Sequence, residues 1–179
     1  MDARAVDFEA RVLPHLDAAY NLARWLLRDA AAADDVVQDA CLRAMRYLGA
    51  LRDGDARPWL LGIVRNLCFD RLAQQRSGPP LVELEDDDAL QSPAPAASAD
   101  PLRQSARRRE RELIDRALRA LSPPFREVIV LREMEELSYE AIAEVVGIPV
   151  GTVMSRLSRA RALMRALLQE AGLEGCDER

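Results

Sequence analysis

The sequence predicts an all-α protein of two small helical domains joined by an acidic, proline-rich linker. Three observations carry this expectation. Residues 8–75 read as helices throughout, with breaks near Pro14, Asp29–Ala33 and Gly49–Arg57. Residues Ser77–Pro101 hold five prolines, six acids and no basic residue. Residues Ser138–Leu168, SYEAIAEVVGIPVGTVMSRLSRARALMRALL, read as a helix, a glycine turn and a second helix. The expected boundaries are a first domain at 8–76, a linker at 77–104 and a second domain at 105–170. Each flank is small but able to fold when several amphipathic helices share a core.

In the first domain, DDVVQDACLRAMRYL (Asp34–Leu48) places Val37, Ala40, Cys41, Ala44 and Leu48 on an inward face. Asp35, Asp39, Leu42 and Arg46, spaced four, three and four, form the outward one, with Gln38 beside Leu42. A single leucine among charges is common on a solvated face. The next helix, RPWLLGIVRNLCFDRLAQQ (Arg57–Gln75), has Pro58 at a suitable first-turn position and is apolar around most of its circumference, so its neighbours should bury it. Asn66 and Asp70 share a stripe near Gly62 and Ala73, while Arg65 and Arg71 point elsewhere. A buried Asn66 could simply satisfy a neighbouring helix end.

An ordered loop as long as Ser77–Pro101 would be unusual inside a compact domain, and its composition suits a linker. Beyond it, Ser138 is an N-cap, with Glu140 in the first turn where the helix dipole favours negative charge. Ile142, Val145 and Val146 supply an inward stripe, Ala143 is small where two helices would cross, and Gly147 suits a turn of positive φ. In the second helix Val150, Val153, Leu157, Ala160, Met164 and Leu167 repeat at three and four and form one apolar side. Gly151, Thr152, Ser155, Ser158 and Arg159 face away from it, with Arg156 on one flank and Arg161 and Arg165 on the other. Four arginines and no acid lie between Pro149 and Leu168, in a chain of formal net charge −5. That is the layout of a DNA-reading helix-turn-helix.

All 25 basic residues are arginine. Overall acidity argues against indiscriminate coating of nucleic acid, so DNA contact must come from local patches, with a protein partner supplying much of the affinity. Cys41, Cys68 and Cys176 are widely separated, and the only histidine is His15, so no metal-ligand spacing exists. The first two cysteines read as core thiols, which fits a reduced, cytoplasmic compartment. No signal peptide, no membrane-spanning apolar run, no glycine-rich phosphate loop and no nucleophile–base pairing is evident. The expectation is a non-enzyme without cofactor, metal, small-molecule substrate or membrane insertion.

Three blocks together, DDVVQDACLRAM, RPWLLGIVRNLCFD and LSPPFREVIVLREMEELSYEAIAEVVGIPVGTVMSRLSRARALMR, resemble the bacterial RNA polymerase sigma factors of the extracytoplasmic-function type, in that family's order. The resemblance implies that the first domain is sigma region 2, which docks on the beta-prime clamp helices of core RNA polymerase and opens the minus-ten element. It implies that the second is sigma region 4, which reads the minus-thirty-five element and touches the beta flap. Asp35, Gln38, Asp39 and Leu42 match the family's core-binding segment, and Asn66 matches the position that contacts an extruded base, with Asp70 one turn on. The loop Gly49–Arg57 resembles the one that receives that base, and Arg52, Arg57, Arg65, Arg71 and Arg76 become candidate phosphate neutralisers. The upstream promoter DNA falls to Thr152, Ser155, Arg156, Ser158, Arg159 and Arg161. An anti-sigma factor is an implied partner.

Two positions depart from the pattern. Met154 stands where many relatives carry lysine or arginine, and the loop LRDGDAR lacks an aromatic residue that relatives often have for stacking on the captured base. The linker reaches roughly 80–90 Å extended but averages about 25–30 Å relaxed, against promoter elements on the order of 35–70 Å apart. It bridges them only when stretched. Its acidic run Glu83–Asp88 is either an occupant of a basic channel in the polymerase or a soluble tether. Two rival readings are a dimeric helix-turn-helix regulator, which requires two-fold footprints without polymerase, and a sigma-mimic decoy for an anti-sigma factor, which needs no DNA contacts.

Overall fold

The computed structural model describes residues 3–51, 54–77 and 101–171, all helix or short connection, with no strand among them. The linker's acidic run, Arg52 and Cys176 lie outside the described residues. The helices are α1 (Ala3–Arg11), α2 (Leu16–Leu27), α3 (Ala30–Tyr47), α4 (Ala56–Ser77), α5 (Pro101–Ala120), α6 (Pro123–Ile129), α7 (Tyr139–Val146) and α8 (Val150–Glu170). A 3₁₀ turn at Leu13–His15 joins α1 to α2, another at Leu48–Ala50 follows α3, and one π turn at Val130–Met134 extends α6.

Helix boundaries follow local chemistry. Arg28 takes a left-handed conformation, φ 61°, and its N–H returns to the Arg24 carbonyl, ending α2. Asp29 then caps α3 by accepting from the Ala32 N–H at 2.9 Å. The helix therefore starts at Ala30, four residues before the stretch read from the sequence as its beginning. The polyalanine run Ala30–Ala33 has no polar face to mark a first turn. The inward face shifts accordingly: Val36, Ala40, Ala44 and Leu48 are buried, whereas Val37 and Cys41 are only half-buried. Helix α5 begins at Pro101, inside the stretch expected to be linker. Prolines also open α6 at Pro123, where a missing N–H costs no helical bond.

Helices α2, α3 and α4 pack on one another as the first lobe, and α6, α7 and α8, with α5 against α8, form the second. The lobes are in contact. Helix α4 runs along α7, and α2 packs on α6. One continuous buried cluster takes Leu22, Leu26, Leu60 and Val64 from the first lobe and Leu131, Ile142, Val145 and Leu157 from the second. An isolated pair of lobes joined only by a tether would each leave this face in water, at roughly 25 cal/mol per Å² of apolar area.

Arg126 ties the joint. Its side chain is buried and donates to the carbonyls of Leu118 (2.9 Å), Arg119 (3.0 Å) and Leu121 (2.6 Å) at the end of α5. It also reaches across to the Trp25 carbonyl at 3.0 Å, in the last turn of α2. A cation here completes acceptors that a helix end leaves unpaired and sits at the negative end of two helix dipoles. Burial, with Arg28 and Arg119 adding repulsion, lowers its pKa to about 10, so it keeps its charge at neutral pH.

Candidate nucleic-acid and protein-docking surfaces

The helix-turn-helix forms as its sequence implies. The Ser138 hydroxyl accepts from the Ala141 N–H at 3.1 Å and starts α7. Gly147 ends it at φ 72°, with its N–H on the Ala143 carbonyl at 2.8 Å. A side chain at that φ would be strained, so glycine is required there. The chain bends through 99° between α7 and α8, within the range of DNA-binding helix-turn-helix pairs. Val153, Leu157 and Ala160 are buried and seat α8 on α6 and α7. Ser155, Ser158 and Arg159 are exposed on the opposite side, and Met154 stands among them 53% exposed. Thr152 is half-buried and its carbonyl accepts from the Ser155 hydroxyl at 3.0 Å.

Two of the flanking arginines of α8, Arg156 and Arg161, are engaged. Arg161 donates from Nε (3.0 Å) and Nη2 (2.6 Å) to Glu133 Oε1, and this hydrogen bond raises its pKa above the usual arginine value. Arg156 Nη1 lies 3.3 Å from Glu127 Oε1.

Glu127 is the least expected residue of the site. Its side chain is fully buried, and its other oxygen accepts from Arg65 Nε of α4 at 2.9 Å. One carboxylate thus holds an arginine from each lobe. Burial raises the Glu127 carboxyl above the ordinary glutamate value, while the hydrogen bond and charge of Arg65 and the charge of Arg156 pull it down. Arg65 also lies over the Phe69 ring, 4.1 Å from its centroid, which fixes the guanidinium plane. A second carboxylate also bridges the lobes. Glu135, just beyond the π turn, accepts from Arg57 Nη2 at 2.7 Å and from the Asn21 amide, both in the first lobe. In the sequence Glu127 interrupts the apolar run VIVL at its N-terminal edge; that unexplained acid was the available signal for a buried ion pair.

On α4, Asn66 and Asp70 are both exposed. Asn66 Oδ1 accepts only a long contact from Arg65 Nη1, 3.3 Å. The account in which Asn66 satisfies a neighbouring helix end is therefore overturned. Helix α4 is buried by α2, α3 and α7 on its other sides, which leaves one polar stripe to solvent. The Asp55 carboxylate accepts from the Arg57 N–H at 2.9 Å at the start of this helix. Gly49 and Gly54, flanking the loop, are both exposed.

The outward face of α3 stands as spaced. Asp35, Gln38, Asp39 and Leu42 are all exposed, and Leu42 is 63% accessible. Met45, one turn beyond Leu42, is 46% exposed and enlarges the apolar spot. Arg71 of α4 pairs with Asp35 at 3.4 Å, which joins the acidic face to the arginines of the neighbouring helix. Among the described residues no group of three or more His, Cys, Asp or Glu is placed to hold a metal ion. Nor is any single helix among them long and apolar enough to cross a membrane.

This arrangement defines a two-lobed helical transcription factor with a helix-turn-helix in its second lobe. Residues 12–78 match the sigma-70 region 2 family, and residues 111–164 match sigma-70 region 4. The chain belongs to the sigma-70 family, among the ECF RNA polymerase sigma factors. It is 34% identical over 172 residues to the RNA polymerase sigma-H factor of Pseudomonas aeruginosa, covering 94% of this chain and 88% of that one. It is 35% identical over 168 residues to the sigma factor CarQ of Myxococcus xanthus, covering 93% and 92%. The sigma factor RpoE of Bartonella quintana, solved in complex with the anti-sigma factor NepR, superposes with a TM-score of 0.70 at 28% identity, covering 91% of this chain and 97% of that one.

Proposed function

We propose that this chain binds core RNA polymerase, directs it to specific promoters and helps nucleate strand opening during transcription initiation. The observation that carries this reading is the α3 face, where an exposed leucine stands among acids beside the helix that bears Asn66. Asp35, Gln38, Asp39 and Leu42 dock on the beta-prime clamp helices. The apolar spot supplies contact area, and the acids supply steering and register. Asn66 receives a base extruded from the non-template strand, with Asp70 beside it, and Arg57, Arg65 and Arg71 neutralise neighbouring phosphates. Extrusion costs a few kcal/mol, so the clamp and the phosphate contacts share the work with the pocket.

The second lobe lays α8 in the major groove of the upstream element and touches the beta flap. Ser155, Ser158 and Arg159 face base edges, Thr152 meets the backbone at the helix N-terminus, and Arg156 and Arg161 track phosphates on the flanks. The chain has no catalysis, cofactor or small-molecule substrate of its own and works in the cytoplasm without entering the membrane. An anti-sigma protein is a further partner, supported by the solved relative that carries one.

Run-off transcription with core polymerase on a genomic fragment library tests this reading. Defined start sites that depend on the added chain are expected; none appearing would refute it. In the same assay Asn66→Ala should lower permanganate reactivity of the opened region while core association persists. Wild-type reactivity would remove Asn66 from the melting step.

A further inference from the structure

We propose that Met154 is a specificity-determining residue: its thioether side chain packs on the C5-methyl group of a thymine in the upstream duplex, so that the chain prefers thymine at one position of that element. This rests on the reading of α8 as the helix that enters the major groove, and adds which base it selects.

The packing of α8 sets where this side chain stands. Val153, Leu157 and Ala160 are buried and fix the inward direction of the helix. At 3.6 residues per turn, the positions farthest round from them are Gly151, Ser155 and Ser158. All three are small and exposed, and a Cβ added at Gly151 would meet nothing within 4 Å. A helix whose outermost positions are this short can lie deep in a groove. The long exposed side chains beside them, Met154 on one flank and Arg159 on the other, then reach the base edges. Met154 adjoins Ser155, stands one turn before Ser158 and is 53% exposed.

Chemistry narrows what Met154 can read. It carries no charge, so a phosphate gains nothing from it, and its sulfur is only a weak acceptor. What it offers is an unbranched, polarizable apolar surface that adapts to an irregular partner. The apolar group that a base pair presents in the major groove is the thymine methyl, whereas guanine shows two acceptors there. Over a thymine, methyl and thioether leave water together. Over a guanine, the same side chain would cover acceptors without pairing them, which carries a desolvation cost. Thymine is therefore favoured both by what it gains and by what its competitor loses.

The full chain with core polymerase tests this, by selection of upstream elements from a duplex library randomised over that region. Wild-type protein should select thymine at one position, and Met154→Ala should lose that preference while keeping the rest of the element. Replacing the selected thymine by uracil keeps the base pair and removes only the methyl. It should weaken wild-type binding by about fourfold, the value of one buried carbon, and leave Met154→Ala unaffected. Met154→Leu should retain the uracil penalty, and Met154→Lys should move the preference to guanine.

Urea unfolding of these variants should match wild type, because the residue is exposed. The uracil measurement on wild-type protein needs no variant at all. A selected element without a methyl-dependent thymine, or a uracil penalty of equal size in Met154→Ala, would overturn the contact. Selection of no upstream element by the wild-type chain would overturn the functional reading beneath it.

Discussion

The outward face of α3 and the arginine set of α4 and α8 differ in how much of their chemistry the folded chain keeps for itself. Asp35, Gln38, Asp39 and Leu42 are exposed, with one long ion pair from Asp35 to Arg71. Arg57, Arg65, Arg156 and Arg161 are each held by an internal carboxylate at 2.6–3.3 Å. Of the candidate arginines of α8, Arg159 has no ion pair among those described and is exposed. A surface for a protein partner can stay open at little cost, because scattered charges and one leucine are well tolerated in water. A dense set of arginines repels itself, and internal carboxylates relieve that repulsion.

The comparison can be broken most decisively at the outward face of α3. Asp39→Ala combined with Leu42→Ala should weaken binding to core polymerase by about 2 kcal/mol or more, as loss of a central contact does. Stability should move by no more than about 0.5 kcal/mol, since both side chains are exposed. Titration of core polymerase and urea unfolding supply the two numbers. A shift in stability matching the loss of affinity would make the α3 face a structural surface.

The arginines sharpen the comparison at intermediate size. Arg159→Ala should cost about 1–3 kcal/mol in upstream promoter binding and leave the fold intact. Arg156→Ala should weaken binding too, yet also lower stability, because it removes one of the two cations on the buried Glu127. Footprinting and unfolding of both variants compare them. Equal stabilities would show that Arg156 contributes nothing to the internal pair.

The smallest effect concerns Cys68, on the buried side of the helix whose open side carries Asn66. Burial pushes its thiol up to about 12, with Arg71 opposing. A raised folded pKa means the native state holds the proton. The stability linked to it is full below the unfolded value near 9 and is lost as pH rises toward 12. At pH 8 Cys68 should therefore resist alkylation until the chain unfolds, as peptide-resolved mass spectrometry would record. Prompt labelling in the native chain would place α4 in a looser packing.

How far the sequence revealed these regions depended on how local each signal was. Ser138 and Gly147 marked α7 at both ends because a cap and a left-handed turn are contacts within a few residues. The α3 face was legible from its spacing alone, although the start of that helix was not. Asp29 caps a polyalanine turn that carries no amphipathic pattern. Asn66 was placed on the correct helix, but whether it met a neighbouring helix end or solvent stayed open, since an apolar circumference does not show where neighbouring helices stop. Glu127 and Arg126 were missed as joint-forming residues. Their partners Arg65 and Trp25 lie 62 and 101 positions away in the chain, and no periodicity reports so distant a bond.

By itself the sequence determined the helical class, the helix-turn-helix with its arginine-bearing rod, and the polar face of α3, all of which arise from caps, turns and repeats within one or two helical turns. Only the tertiary structure decided that the lobes share one core and which arginines stand free. That outcome depends on α4 lying along α7, where burial strips water from Glu127 and makes two arginines the condition for keeping its charge inside.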